Sequence, residues 1–205
     1  DGQADICDTM VSAYDRAVLP SPSRNDIRRI VGLSLPVAIR SLSPQLSEEE
    51  VRHVVEFYKS GYFARREEGL LNEPLYDGIA ELLRSLHADQ WTLAVATGKS
   101  DRGLASVLAA HGLTDLFVSL QTAARHPSKP HPAMLEAALF EAAAQPGEAV
   151  MIGDTTFDID MARAANVASV GVDWGYHPAD ELTQAGAMGV AKDVSELGQM
   201  LRDWK

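Results

Sequence analysis

From about residue 75 onward the chain alternates short, unbroken apolar runs with amphipathic stretches, and this alternation restricts the available folds more than any other feature. The apolar runs are "WTLAVAT" (91–97), "LFVSL" (116–120), "AVMIG" (149–153) and "ASVGV" (168–172). They are short and continuously apolar, which is the pattern of strands covered on both faces rather than strands with one wet side. Between them lie helix-like segments. Ile79, Leu82, Leu83 and Leu86 share one helical face, 101–112 ends at Gly112, and the alanine-rich 132–144 stops before Pro146-Gly147. Residues 156–166, 178–186 and 194–204 continue the pattern. The spacing predicts an α/β domain over 75–205, built on a parallel sheet with helices on both faces.

Residues 1–74 show no strand pattern. Ala4–Leu19 has helical periodicity and stops before Pro20, and Ser23 is a plausible N-cap for 23–31, with Gly32 as the stop. Leu35–Leu42 carries Pro36 in its first turn. Ser47 and Glu50 have capping-box spacing ahead of a long helix through Val51, Val54, Val55, Tyr58 and Tyr62. An all-helical domain over 1–74 is therefore expected in front of the α/β domain.

Composition removes several function classes. The net charge is −11 and the longest basic stretches are pairs such as Arg28-Arg29, so a nucleic-acid partner is not expected. No apolar run nears the ~20 residues that span a bilayer, so no membrane partner is expected either, and a cytoplasmic protein is the default. The single cysteine, Cys7, cannot form an internal disulfide and reads as a small apolar helix residue.

In open parallel sheets ligands bind beyond the carboxyl ends of the strands, so the residues after each apolar run carry the chemistry. The first run ends in Thr97-Gly98-Lys99, and the third in Gly153-Asp154, with Asp158 one helical turn on. Lys129 lies in the loop after the second. A hydroxyl, an ammonium and two carboxylates at one point would suit an anionic group held with a divalent metal. Each residue alone also has a plain structural reading. Asp154 and Asp158 can complement a helix dipole, Lys129 can be a solvated loop lysine, Thr97-Gly98 can cap a helix, and Gly32 can be a helix stop. His126, His131 and His177 lack metal-ligand spacing and read as loop histidines with local hydrogen bonds.

"VATGKS" (95–100), "SKPHPAML" (128–135) and "VMIGDTTFDIDMARAA" (150–165), in that order, resemble the second, third and fourth motifs of the haloacid dehalogenase superfamily. The similarity is to its phosphatase branch with a helical cap, and overall to phosphoglycolate phosphatase-like members. It extends to "RRIVGLSL" (28–35), "YDGIAELLRSL" (76–86) and "GVDWGYHPADEL" (171–182). The resemblance implies a Rossmann-like α/β core with a helical cap domain. It also implies a Mg²⁺-dependent phosphomonoesterase that acts on a small phosphorylated metabolite, phosphoglycolate-like or a sugar phosphate, through an aspartyl-phosphate. Thr97 and Lys129 would then be catalytic, Asp154 and Asp158 would serve the metal, and Gly98, Lys99, Gly32 and Ser34 would contact substrate. A monomer or homodimer is expected.

The family's first motif, Asp-x-Asp-Gly-Thr-Leu-Val-Asp after an apolar strand, has no full counterpart in "DGQADICDTM". Asp1 best matches its last aspartate. The expectation is that the first core strand and the nucleophile lie upstream of residue 1, and that residues 1–205 alone are inactive. The other chemistries weighed are a phosphomutase or a 2-haloacid dehalogenase of the same superfamily, and a phosphate- or metal-binding protein without catalysis.

Overall fold

The computed structural model describes residues 2–71 and 73–204. The chain divides into two compact units, one up to Leu75 and one from Tyr76.

The first unit is helical: α1 (Gln3–Arg16), α2 (Arg24–Arg29), α3 (Leu35–Leu42) and α4 (Glu48–Glu67). Its core takes Cys7, Met10 and Tyr14 from α1, with Ile27, Ile39, Val51 and Val54 from the other three helices. Cys7, Met10 and Tyr14 are spaced three and four apart, so they share one face. Ser47 and Glu50 form the expected capping box: Glu50 Oε2 accepts from the Ser47 backbone N–H at 2.8 Å, and the Ser47 side chain accepts from the Glu50 N–H. Such a cap stabilises a helix by about 1 kcal/mol.

The second unit is the α/β domain. Its elements are α5 (Ile79–Ala88), β1 (Leu93–Thr97), α6 (Asp101–Ala110), β2 (Phe117–Thr122), α7 (Ala133–Glu141) and β3 (Val150–Gly153). Then come α8 (Thr156–Ala164), β4 (Ala168–Val172), α9 (Ala179–Ala185), β5 (Val190–Ala191) and α10 (Val194–Asp203). All strand pairs are parallel. Alternation along the strands serves two apolar layers. Val150 and Ile152 pack with Leu86, Leu197 and Leu201, while Met151, between them, packs with Met134, Leu135 and Met161.

The strands form two sheets, β1-β2 and β3-β4-β5. Among the described residues β1 and β3 each pair on one side only. β4, flanked on both sides, is buried from Ser169 to Val172, whereas Leu93, Val95 and Ala96 of β1 and Val150 to Ile152 of β3 are only half-buried.

Two strand boundaries differ by two residues from the sequence expectation. β1 starts at Leu93 rather than Trp91, because Gln90 takes a left-handed φ of 65° and the Trp91 N–H turns back to the Leu86 carbonyl at 2.9 Å. That is a helix C-terminal closure, not a strand start. β2 runs to Thr122 instead of Leu120. Its added residues are polar but satisfied: Gln121 donates to Ser119 Oγ at 2.8 Å, and Thr122 donates to Asp101 Oδ1 at 2.5 Å. No helix among the described residues is long and apolar enough to cross a membrane.

Candidate active site

β3 ends at Gly153, and α8 begins two residues after Asp154. Thr155 is the N-cap of α8, and Asp158, three residues on, completes a capping box. Asp158 Oδ2 accepts from the Thr155 N–H at 3.1 Å and from Thr155 Oγ1 at 2.7 Å. The Asp158 carboxylate therefore folds back beneath the strand end. A Cβ built on Gly153 would stand 2.2 Å from Asp158 Cβ, so glycine is required there for space rather than for its φ.

The other oxygen of Asp158 meets Lys129. Lys129 Nζ donates to Asp158 Oδ1 at 2.5 Å, and the two side chains are 6% and 5% exposed. Lys129 is thus not a solvated loop lysine. It is a desolvated ammonium held by a carboxylate that is itself fixed by a helix cap. Such a pair is strongly interdependent, because either charge left alone would be buried without compensation.

Asp154 stands beside this pair. Burial pushes its carboxyl up to about 6, aided by the Asp158 charge and opposed by the Lys129 ammonium and the Tyr176 N–H. The Tyr176 N–H donates to Asp154 Oδ2 at 3.3 Å, and the His177 N–H donates to the Asp154 carbonyl at 3.0 Å. Gly175 lies against the side chain so closely that a Cβ there would come 2.1 Å from Asp154 Cβ. A cavity of about 230 Å³ opens at this strand end, lined by Tyr76, Ile152, Asp154, Val172, Trp174 and Gly175. Tyr76 and Trp174 meet edge to face, 6.3 Å between centroids.

The donor set can be tested against a hard divalent cation. Asp154 fits: it is a desolvated oxygen ligand facing a cavity, and Mg²⁺ is commonly held by one or two carboxylates, with water and substrate phosphate completing its shell. Asp158, expected from sequence beside the metal, has protein partners on both oxygens. Among the described residues no group of three metal-ligating side chains forms.

The remaining expected residues lie elsewhere. Thr97 ends β1, in the other sheet, where its Oγ1 accepts from the Lys99 N–H at 3.2 Å and can still donate. Gly98 and Lys99 lead from it to Ser100, the N-cap of α6. The structure thus joins Lys129, Asp154 and Asp158, and leaves Thr97, Gly98 and Lys99 at the end of β1, in the other sheet. Gly32 and Ser34 belong to the helical unit. Gly32 has a φ of 104°, which accounts for the glycine, and Ser34 is the N-cap of α3.

His126 and His131 make the expected local contacts, with Gln121 Oε1 at 2.8 Å and with the Ala133 N–H at 3.2 Å. Sequence reasoning misses Thr155, Gly175 and Tyr176, and reads His177 only as a loop histidine with local hydrogen bonds. Only Thr155 carries a legible signal, the Thr-x-x-Asp spacing of a capping box. The other three act from an irregular loop through backbone amides and close contact.

Known proteins are similar to this chain over most of its length. The family profile described as haloacid dehalogenase-like hydrolase matches residues 1–172. A protein named "Probable phosphatase IndB" from Dickeya dadantii is 33% identical over 202 residues, 96% of this chain and 86% of that protein. A phosphoglycolate phosphatase from Vibrio vulnificus (strain YJ016) is 30% identical over 169 residues, 82% of this chain and 72% of that one. Among solved structures, a hydrolase from Pseudomonas syringae superposes with a TM-score of 0.87 at 24% identity, covering 98% of this chain and 92% of its own, and so shares the fold. With a matching profile over most of its length and an Asp154–Lys129–Asp158 cluster at the ends of a parallel sheet, the chain belongs to the haloacid dehalogenase-like hydrolase family.

Proposed function

We propose that the protein is a Mg²⁺-dependent phosphomonoesterase acting on a small phosphorylated metabolite, phosphoglycolate-like or a sugar phosphate. The observation that carries this reading is the buried Lys129–Asp158 pair next to Asp154. A desolvated ammonium is costly to maintain, and it is well suited to charge that develops on a transferring phosphoryl group. The relatives named as phosphatases support the same reaction class.

In this reading the nucleophile is an aspartate carboxylate on a core strand. It attacks phosphorus, and the bond to the leaving oxygen breaks as that oxygen takes a proton from a second carboxylic acid on the same strand. Water then cleaves the aspartyl-phosphate, giving up a proton to the same acid, and inorganic phosphate leaves. Lys129 keeps its ammonium at the phosphoryl group because Asp158 fixes it there. Thr97 donates its O–H to a phosphoryl oxygen. Asp154 provides the protein's carboxylate to the cation, assisted by the Tyr176 N–H and given room by Gly175. Bound Mg²⁺ would supply charge neutralisation of the phosphoryl oxygens.

The test is a screen of the full-length protein against small phosphomonoesters, with Mg²⁺ or with EDTA, reading inorganic phosphate. Release confined to the Mg²⁺ arm supports the reading. Net isomerisation of a sugar phosphate without phosphate release would make it a mutase, and halide release from a 2-haloacid in EDTA would make it a dehalogenase.

A further inference from the structure

His177 is 3% exposed, although it lies in an irregular loop between β4 and α9. Its ring Nδ1 is 3.1 Å from the Thr156 backbone nitrogen and 3.2 Å from Thr156 Oγ1. Accepting from an N–H requires an unprotonated Nδ1, so the ring hydrogen of this tautomer is on Nε2. The ring also meets Phe157 edge-on, 5.3 Å between centroids. Thr156 and Phe157 are the first two residues of α8. Helix N-termini leave their first amides without intrahelical acceptors. Here Thr155 Oγ1 serves the Asp158 amide and the imidazole serves the Thr156 amide.

The same loop holds Asp154 from three sides. The His177 N–H binds its carbonyl, the Tyr176 N–H binds its carboxylate, and Gly175 walls its Cβ. A loop restrains a neighbour only as well as it is itself anchored. The His177 ring anchors this one to the helix that starts just after Asp154, closing a short circuit through Asp154, Thr156, His177 and Tyr176.

We propose that His177 is a positioning residue for the metal site: its imidazole ties the 173–177 loop to the first turn of α8 and so fixes the Asp154 carboxylate for the divalent cation. The proposal rests on the reading of Asp154 as a metal ligand. The ring acts through the backbone on either side of the carboxylate.

The experiment uses the full-length protein as wild type, His177→Phe and His177→Asn. Phenylalanine keeps a ring but removes the acceptor, whereas asparagine returns an acceptor near the position of Nδ1. Mg²⁺ affinity is measured by calorimetry, and amide hydrogen exchange over 154–158 is measured in the metal-free protein. Weakening by about 10- to 100-fold is expected for His177→Phe, the range for lost outer partners of a metal ligand, with His177→Asn recovering to within about 3-fold of wild type. Faster exchange at Thr156 is expected in the phenylalanine variant alone. A folded His177→Phe with wild-type affinity overturns the proposal, as does an asparagine variant as weak as phenylalanine. If wild-type protein binds no Mg²⁺, the metal reading of Asp154 fails by itself. Unchanged exchange over 154–158 in His177→Phe then overturns the anchoring role separately.

Discussion

Lys129 Nζ lies 2.5 Å from Asp158 Oδ1, with both side chains about nineteen parts in twenty buried, so neither charge can be removed without stranding the other. Breaking a buried pair from one side costs about 3–5 kcal/mol. Lys129→Met and Asp158→Asn should each fall in or near that range in denaturant melts. The double variant should lose clearly less than their sum, with a coupling of about 1 kcal/mol or more. Each single change should lower kcat by about 10²-fold or more, and the double variant should be no slower than the worse single. Strict additivity in both measurements would mean that Asp158 does not act through Lys129.

Glycines give a steric test. An alanine Cβ at 175 would meet Asp154 Cβ at 2.1 Å, and one at 153 would meet Asp158 Cβ at 2.2 Å. Neither neighbour is a flexible tip that can swing away. Gly175→Ala should weaken Mg²⁺ binding by about 10-fold or more, since it displaces the ligand itself. Gly153→Ala should destabilise by about 1–3 kcal/mol, the scale of core overpacking. Gly147→Ala is the control. Nothing lies within 4 Å of its Cβ, and the change should be neutral or stabilise by about 0.5 kcal/mol. Equal melting temperatures for all three variants would contradict this.

Much of this arrangement can be read from sequence, but unevenly. The strand–helix alternation after residue 75 and the capping signals at Ser47–Glu50 and Thr155–Asp158 are local patterns, and the structure carries them. Gln121 and Thr122 escape a search for apolar runs because they are polar and buried, Gln121 bonded to Ser119 on the same strand and Thr122 to the distant Asp101. Lys129 can be nominated from its place before a helix, but its partner is 29 residues away, across two elements, and spacing says nothing of that. The loop of Gly175, Tyr176 and His177 is the least legible part. It contributes backbone N–H groups, an absent Cβ and one ring nitrogen, and none of these has a periodic signature.

Asp154 should give the metal-free protein a characteristic pH dependence. Its ordinary value is 3.8, and the folded environment raises it to about 6. Folding therefore favours its protonated form. The associated stability is fully present below the ordinary value and is lost as pH rises through about 6. Relative to Asp154→Asn, wild-type protein in EDTA should lose about 2 kcal/mol between pH 4 and pH 8, and the asparagine variant should be the more stable of the two at pH 8. Parallel stability curves for the two proteins would show that Asp154 is not desolvated as described. Mg²⁺ affinity should also weaken below pH 6, where protons compete for the same carboxylate.

The central claim is that a buried ammonium–carboxylate pair and an adjacent desolvated carboxylate form a Mg²⁺-dependent phosphate-ester hydrolase site. It is tested most directly by phosphate release from 2-phosphoglycolate and a generic aryl phosphate at pH 7. The comparison is full-length wild type against Asp154→Asn, each with Mg²⁺ and with EDTA. The account predicts turnover in wild type with Mg²⁺ alone, and a loss of at least about 10²-fold in Asp154→Asn, whose fold is intact by its melting curve. Wild-type turnover that persists in EDTA, or an Asp154→Asn variant as fast as wild type, would contradict it.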